Sequence, residues 1–276
     1  MKNLSHSNVK GGIIMEFSIN DRNIGLNHPT YFIADIGSNH EGSIDRAVEL
    51  MKLAKTAGVE GAKFQHHRAD ERDSDVGYKA MGSQLSHQAN WKKSVYEICK
   101  DAETPWEWTQ ELAAKAKQIG MDFFSTPYDL EVVDVLDPFS AMYKIGSGDI
   151  TYPEMLEKVA KTGKPVLLAT GASNIGEVQR AVKIITDINP KLCLMQCNTN
   201  YTANPDNYNH INLNALKAYS NLFPNVVLGL SDHTFQPTTA LGSITLGARM
   251  IERHFTDDNA RDGPDHPFAM NPETFK

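Results

Sequence analysis

The sequence lacks three features that mark large classes of protein. No apolar run approaches the about 18 residues that a membrane span requires, so we expect no transmembrane segment. Clusters of Lys and Arg are missing and the formal net charge is −7, which argues against a nucleic-acid-binding surface. Only three cysteines occur, too few and odd in number for a disulfide framework. These absences predict a soluble protein of the reducing cytoplasm.

Two of the cysteines, Cys193 and Cys197, lie four residues apart in one apolar run. At ~3.3 Å per residue a strand separates them by ~13 Å, which is too far for a disulfide bond. We therefore expect both to be small apolar residues of the core.

The order of apolar and amphipathic segments predicts an α/β fold, a (β/α)8 TIM barrel. Eight runs are apolar on both faces, as parallel strands buried between two layers must be. They are YFIADIG (31–37), GAKFQ (61–65), DFFSTP (122–127), MYKIGS (142–147), PVLLATG (165–171), KLCLMQCN (191–198), VVLGLSD (226–232) and MIERHF (250–255). Helical patterns occur at 43–58, 106–120, 153–163, 175–188, 212–223 and 237–247. A doubly wound open sheet is the alternative architecture.

The chain divides into three predicted parts. Residues 1–14 form a leader without assigned function, and residues 15–30 an extension that is expected to close the bottom of the barrel as a β-hairpin. Residues 31–276 form the barrel, with a loop at 66–105 that is far longer than the usual βα connection. This loop is expected to carry a short helix near NWKKSVYEIC and to serve as a lid or rim. At the chain's last residues, NPETFK, Pro272 opens an eighth helix that is predicted to be incomplete.

Polar residues collect where the predicted strands end. His233 and His254 end neighbouring strands, 21 residues apart, with Asp232 and Glu252 beside them. Imidazole nitrogens are ligands for divalent metals, so the two histidines form a candidate metal site at the mouth of the barrel. A single histidine there would more often be a hydrogen-bonded residue of the rim. His40, His66 and His266 lie near the predicted mouth without an assigned role, and the remaining histidines, including His67, are expected at the surface.

Two strands carry a lysine inside an apolar run. Lys63 and Gln65 point the same way on one strand, and Lys144 repeats the pattern on another. A buried lysine is costly unless it meets an anion, so two of them predict a substrate with a phosphate or a carboxylate group. Lysines that extend to the solvent at the rim are the alternative. Three further strand-end residues would donate hydroxyl hydrogen bonds to the anion: Thr126, Ser147 and Ser231.

Taken together, the strand ends resemble those of the sialic acid synthase family, which includes legionaminic and pseudaminic acid synthases. The matching motifs span residues 34–266 in the family's order. They are ADIGSNHEG (34–42), GAKFQ (61–65), FFSTPYD (123–129), YKIGSGDI (143–150), KTGKPVLLATG (161–171), CNTNY (197–201), GLSDHT (229–234) and IERHFTDDNARDGPDH (251–266).

The resemblance implies an enzyme that condenses phosphoenolpyruvate with an N-acetylated amino sugar, N-acetylmannosamine or a related diamino-dideoxy sugar. It implies that Lys63, Thr126, Lys144, Ser147 and Ser231 hold phosphoenolpyruvate, and that His233 and His254 bind Mn or Mg. It further implies that Asp35, where the family usually has glutamate, and Glu252 are the acid and base. The implied sugar contacts are Gln65, Asp149, Thr199, Tyr201 and Asp265. A homodimer is the default, and the C-terminal antifreeze-like domain of the family is absent from this sequence.

Two other functions stay open on the sequence alone. One is a metal aldolase that uses pyruvate on the same barrel, although two strand-end lysines argue against it. The other is a non-catalytic truncated homologue that binds a ligand or a partner protein.

Overall fold

A computed structural model describes residues 8–9, 12–13, 16–81 and 92–276. The predicted leader therefore lies mostly outside the described residues, as does the start of the helix predicted near NWKKSVYEIC. Two short strands near the amino end, β1 (Asn8–Val9) and β2 (Gly12–Ile13), pair antiparallel. A hairpin follows within residues 15–30, formed by β3 (Phe17–Ile19) and β4 (Arg22–Ile24).

Eight parallel strands close into a barrel, so the predicted TIM-barrel fold is confirmed and the open sheet is excluded. The strands are β5 (Tyr31–Asp35), β6 (Gly61–His66), β7 (Asp122–Pro127), β8 (Tyr143–Ile145), β9 (Val166–Ala169), β10 (Leu192–Cys197), β11 (Val227–Asp232) and β12 (Ala248–His254). They follow chain order around the barrel, and β12 pairs with β5 to close it. In this register Asp35 is level with Lys63 on one side and with His254 on the other.

The helices of the described residues form the outer layer and the rim. They are α1 (Ile44–Thr56), α2 (Ala69–Arg72), α3 (Asp75–Ala80), α4 (Val95–Asp101), α5 (Thr109–Ile119), α6 (Leu130–Leu136), α7 (Pro153–Lys161), α8 (Ile175–Ile188), α9 (Asn214–Leu222) and α10 (Thr238–Thr245). All six helical patterns of the sequence correspond to one of these helices. The prediction omitted α2, α3 and α6, and the expected start of an eighth helix is a turn at 272–274. No described helix is long and apolar enough to cross a membrane.

The hairpin packs into the amino-terminal end of the barrel. Phe17, Ile19 and Ile24 are buried in one cluster with side chains from the barrel strands, among them Tyr31 and Phe124. Alternation along β3, buried, exposed, buried, directs one face of the hairpin to this cluster. This end of the barrel is therefore packed with apolar side chains, which leaves the opposite end for the polar residues.

A second contact joins the loops that follow the first and last barrel strands. The Arg46 guanidinium donates two hydrogen bonds to the Asp257 carboxylate, at 3.0 and 2.8 Å. Its Nε also donates to the carbonyl oxygen of Asn39, at 2.8 Å. These bonds hold the loop after β12, which carries Asp265, against the loop after β5.

Candidate active site

Two lysines and two carboxylates meet inside the carboxyl end of the barrel. Lys63 Nζ lies 2.6 Å from Asp35 Oδ2 and 3.8 Å from Glu252 Oε1. Lys144 Nζ approaches the same Glu252 oxygen at 2.8 Å. All four side chains are at most 4% exposed. The lysines on β6 and β8 thus converge on one point, as the alternation of the two strands predicts, and their buried charges are balanced by protein carboxylates.

The electrostatics keep Glu252 and Lys63 ionised. Burial raises the pKa of Glu252, but Lys144 and Lys63 outweigh it and hold the pKa at about 2. Burial likewise lowers the pKa of Lys63, whereas Asp35 and Glu252 leave it above its ordinary value. Glu252 Oε2 and Asp35 Oδ1 are buried without a hydrogen-bond partner among the described residues. Leaving a buried acceptor without a partner costs free energy, so we expect a ligand or a water molecule to bind these two oxygens.

Three hydroxyl groups surround the lysines. Thr126 Oγ1 lies 3.5 Å from Lys63 Nζ, and Ser231 Oγ lies 3.5 Å from Lys144 Nζ. Ser147 Oγ accepts a 3.0 Å hydrogen bond from the backbone N–H of Gly171, which leaves its own proton free to donate. A methyl group at Gly171 would lie 2.8 Å from Ser147 Oγ and 2.5 Å from Thr199 Cγ2. Glycine is therefore required for this close approach.

His233 and His254 lie side by side in the same cavity as the lysines, with ring centroids 5.4 Å apart. Burial lowers the pKa of His233 to about 3, so its ring is neutral. His233 Nδ1 lies 2.8 Å from the carbonyl oxygen of Asn198; the proton is therefore on Nδ1, and Nε2 carries a free lone pair. Burial lowers the pKa of His254, but the carboxylates of Asp35 and Asp265 raise it overall.

The two histidines can be compared with the ligands that a divalent metal requires. Two neighbouring imidazoles, one of them with a free nitrogen lone pair, suit Mn and similar ions in kind. In the part of the chain that the structure describes, no group of three or more His, Cys, Asp or Glu side chains is arranged to hold a metal. The two histidines supply only part of a coordination shell, so an ion held here would need water or substrate oxygen in its remaining positions.

The other predicted binding residues lie in this cavity, in the wider cavity at its mouth, or beside them. Gln65 Nε2 donates to Asp35 Oδ2 at 3.2 Å, and the Tyr201 ring lies 4.2 Å from the His233 ring. Asp265 Oδ2 lies 3.3 Å from His254 Nδ1 and accepts a 2.8 Å hydrogen bond from Ser38. Two further residues lie at its edge. Asp149 ends a 3₁₀ turn after β8, where burial raises its pKa to about 6, and Thr199 lies beside Gly171.

Three expectations from the sequence were wrong or incomplete. His67 is buried, not at the surface, and its Nε2 lies 2.9 Å from the carbonyl oxygen of Cys99. Cys197 lines the cavity beside His233, whereas Cys193 lies in the apolar core as expected. Asp232 does not face the histidines, since it pairs with Arg253 at 3.2 Å on the outer side of β11.

The histidines without an assigned role have structural partners. His40 pairs with Thr104 at 3.2 Å, and His266 with Thr256 at 2.7 Å. His66 lies between the hydroxyls of Ser125 and Thr109, at 2.7 and 2.9 Å. Burial holds the pKa of His66 at about 3, so its neutral ring links β6 to β7 and α5.

Sequence reasoning also missed Tyr128 as a residue of the cavity. It lines the cavity beside Lys63 and directly follows the strand end FFSTP. Its position next to Thr126 and Pro127 was the available signal, since residues just beyond a strand end face the mouth of a barrel.

Comparisons with known proteins give the family of this chain. Residues 50–276 fit the model of the NeuB family. The chain belongs to the NeuB family. It is 40% identical over 263 residues to an uncharacterised protein of Methanocaldococcus jannaschii, a match that covers 95% of this chain and 72% of that one. It is 35% identical over 251 residues to the N,N'-diacetyllegionaminic acid synthase of Campylobacter jejuni, covering 90% and 73%.

A solved structure gives the same result for the fold. The N-acetylneuraminic acid synthetase of Leptospira borgpetersenii, in complex with citrate, superposes with a TM-score of 0.84. The two are 26% identical, and the match covers 95% of this chain and 85% of that one. Membership of the NeuB family makes the chain an enzyme of the class that forms carbon–carbon bonds from phosphoenolpyruvate.

Proposed function

We propose that this NeuB-family chain condenses phosphoenolpyruvate with an N-acetylated amino sugar, giving a nonulosonic acid and phosphate. The acceptor is N-acetylmannosamine or a related diamino-dideoxy sugar. One observation carries the proposal: two buried lysines from β6 and β8 converge at Glu252, in the cavity that His233 and His254 also line. This arrangement offers an anion site and a carbonyl-binding site in one cavity.

Phosphoenolpyruvate binds at the lysines. Its phosphate and carboxylate draw the ammonium groups of Lys63 and Lys144 away from Asp35 and Glu252, and Thr126, Ser147 and Ser231 donate to its oxygens. Hydrogen bonds from charged donors are the strongest available here, and the buried setting strengthens them further. The lysines also stabilise the phosphate when it departs.

The reaction then needs two bond-forming steps. C3 of the enolpyruvate attacks the aldehyde carbon of the open-chain sugar, which leaves C2 cationic and turns the aldehyde oxygen into an alkoxide. A water molecule adds to C2 and gives a proton to Glu252. A carboxylate with a pKa of about 2 suffices, because water that attacks a cation is itself strongly acidic. The bond between C2 and the phosphate oxygen then breaks, the C2 hydroxyl gives its proton to the departing phosphate, and a ketone remains at C2.

The aldehyde end is held at the other side of the cavity. Lys63 is the proposed proton donor to the new alkoxide, and it is oriented by Asp35, which contacts Lys63 and lies 3.4 Å from His254. His233 and His254 would hold a Mn or Mg ion, which when bound polarises the aldehyde as a Lewis acid. Gln65, Asp149, Thr199, Tyr201 and Asp265 line the path by which the sugar enters.

The direct test is phosphate release from phosphoenolpyruvate by the purified chain. We expect release that requires both the amino sugar and Mn or Mg, and that falls at least a hundredfold in Lys144→Met. Lys158→Met is the matched control, since Lys158 forms an exposed pair with Asp134 far from the cavity. The acceptors to compare are N-acetylmannosamine, its 6-phosphate and diacetylated diamino-dideoxy sugars.

Two results would contradict the proposal. Phosphate release that ignores every acceptor would remove the condensation step. Condensation of pyruvate, with no use of phosphoenolpyruvate, would instead favour the aldolase function.

A further inference from the structure

The hydroxyl group of Tyr128 has a position that the proposed mechanism does not use. Tyr128 lines the cavity of the lysines and also the wider cavity at the mouth, which includes Arg72 and Asp265. Among the residues that the structure describes, four line both cavities: Gln65, Tyr128, Tyr201 and His254. Tyr128 therefore stands at the boundary between the inner and the outer space.

The ring of Tyr128 is held in place by the long loop after β6. The His67 ring packs against it edge to face, with centroids 5.8 Å apart, and Arg72 Cζ lies 5.1 Å from its centroid. Both supports are themselves anchored. His67 bonds to the carbonyl oxygen of Cys99 at 2.9 Å, and Arg72 bonds to Asp73 at 3.0 Å. The ring thus has a defined orientation.

Its hydroxyl, in contrast, makes no hydrogen bond with any described residue. It points toward the turn after β8, since a methyl group built on Gly146 would lie 4.0 Å from Tyr128 Oη. Burial raises the pKa of Tyr128 to about 12, and Lys63 is the charged group that most opposes this rise. The phenol is therefore a neutral donor close to an ammonium group and to the residues that precede Ser147.

We propose that Tyr128 is a substrate-binding residue whose hydroxyl donates a hydrogen bond to the phosphate of phosphoenolpyruvate, on the side that faces the mouth. This inference rests on the proposed function. A phosphate only accepts hydrogen bonds, so it suits a neutral phenol that acts as a donor beside a lysine. A sugar hydroxyl both donates and accepts, and would need an acceptor as well. The long loop then acts on the inner site through the ring it supports.

The test compares Tyr128→Phe with wild type in the presence of Mn, without acceptor sugar, by calorimetric binding of phosphoenolpyruvate and of pyruvate. Pyruvate has the carboxylate but no phosphate. We expect phosphoenolpyruvate to bind roughly 10- to 100-fold more weakly to the variant, the usual effect of one hydrogen bond to a charged group, and pyruvate to bind equally. The KM for phosphoenolpyruvate should rise by the same factor while that for the sugar stays constant.

Tyr208→Phe is the matched control, because Tyr208 lines neither cavity and its hydroxyl accepts only a backbone hydrogen bond from Gln236. Equal phosphoenolpyruvate affinity in Tyr128→Phe and wild type would overturn this inference alone. An equal loss for both ligands, or a change confined to the KM of the sugar, would also overturn it. If wild type binds no phosphoenolpyruvate, the proposed function fails as well.

Discussion

At the scale of single residues, the main feature of the site is that its lysines already have partners. A buried lysine needs an anion beside it, and from the sequence we expected the substrate to supply that anion. In the fold, Asp35 and Glu252 supply it, at 2.6 and 2.8 Å from the two ammonium groups. A substrate anion must therefore compete with two carboxylates, and each ion pair matters for stability as well as for binding.

Comparing Lys144→Met with the double variant Lys144→Met, Glu252→Gln separates the role of the ion pair in stability from its role in binding. The single change leaves Glu252 with one distant lysine instead of two partners, and breaking a buried ion pair costs about 3–5 kcal/mol. We expect urea unfolding to report a loss of this order. In Lys144→Met combined with Glu252→Gln the uncompensated charge is gone, so stability should largely return while turnover does not. A double variant as unstable as the single one would show that packing, and not charge, causes the loss.

Asp149 gives the stability of the protein a specific pH dependence. Burial raises its pKa to about 6 in the folded state, so the folded protein binds this proton more tightly than the unfolded chain does. The contribution of Asp149 to stability is therefore present in acid and is lost as pH rises from about 4 to about 6. We expect Asp149→Asn to be more stable than wild type at pH 8, with a difference that disappears near pH 4. Thermal unfolding of both proteins across this range measures it.

The sequence predicted most residues of the cavity because they end strands. Lys63, Lys144, His233 and His254 needed only the two-residue period and the barrel order to be placed on one face. Tyr128 lies just beyond a strand end, where the two-residue period no longer applies, and it was missed. His67 was assigned to the surface because its cover, α4, comes from about 30 residues further along the chain.

At the scale of elements, helices were predictable where they were long. The fourteen residues of α8 show a clear apolar stripe and end at a polar Asn189. The seven residues of α6, LEVVDVL, carry an apolar run that is as typical of a strand as of a helix. The helices α2 and α3 have four and six residues, too few to show a helical period.

The first turn of α8 allows a test at this scale. Asn174 caps the helix, its side chain accepting from the N–H of Glu177 at 3.1 Å, while Glu177 accepts in return from the N–H of Asn174 at 2.8 Å. We expect Asn174→Ala to lower the free energy of unfolding by ~1 kcal/mol, and Asn174→Ser to lose much less, since serine can cap equally well. Urea unfolding measures both. Equal losses would mean that the capping bond contributes little.

At the scale of the whole molecule, the hairpin and the barrel share one apolar cluster. Ile24 is fully buried there, and its replacement by alanine should cost about 2–5 kcal/mol, the usual range for such a cavity. Because the cluster includes barrel side chains, we expect one transition, with circular dichroism and fluorescence curves that coincide. Two separate transitions in Ile24→Ala would show that the hairpin unfolds independently of the barrel. Ile188→Ala, at an exposed position on α8, is the control.

The Arg46–Asp257 pair has a consequence for the order of folding. It joins residues 211 positions apart, next to the strand pair that closes the barrel, so almost the whole chain must be ordered before it forms. Contacts that close such long loops are expected late on the folding pathway. Arg46→Met should therefore leave the rate of folding unchanged and speed unfolding about fivefold, if the pair contributes ~1 kcal/mol. Stopped-flow kinetics would show the last barrel contact to form as the first to break.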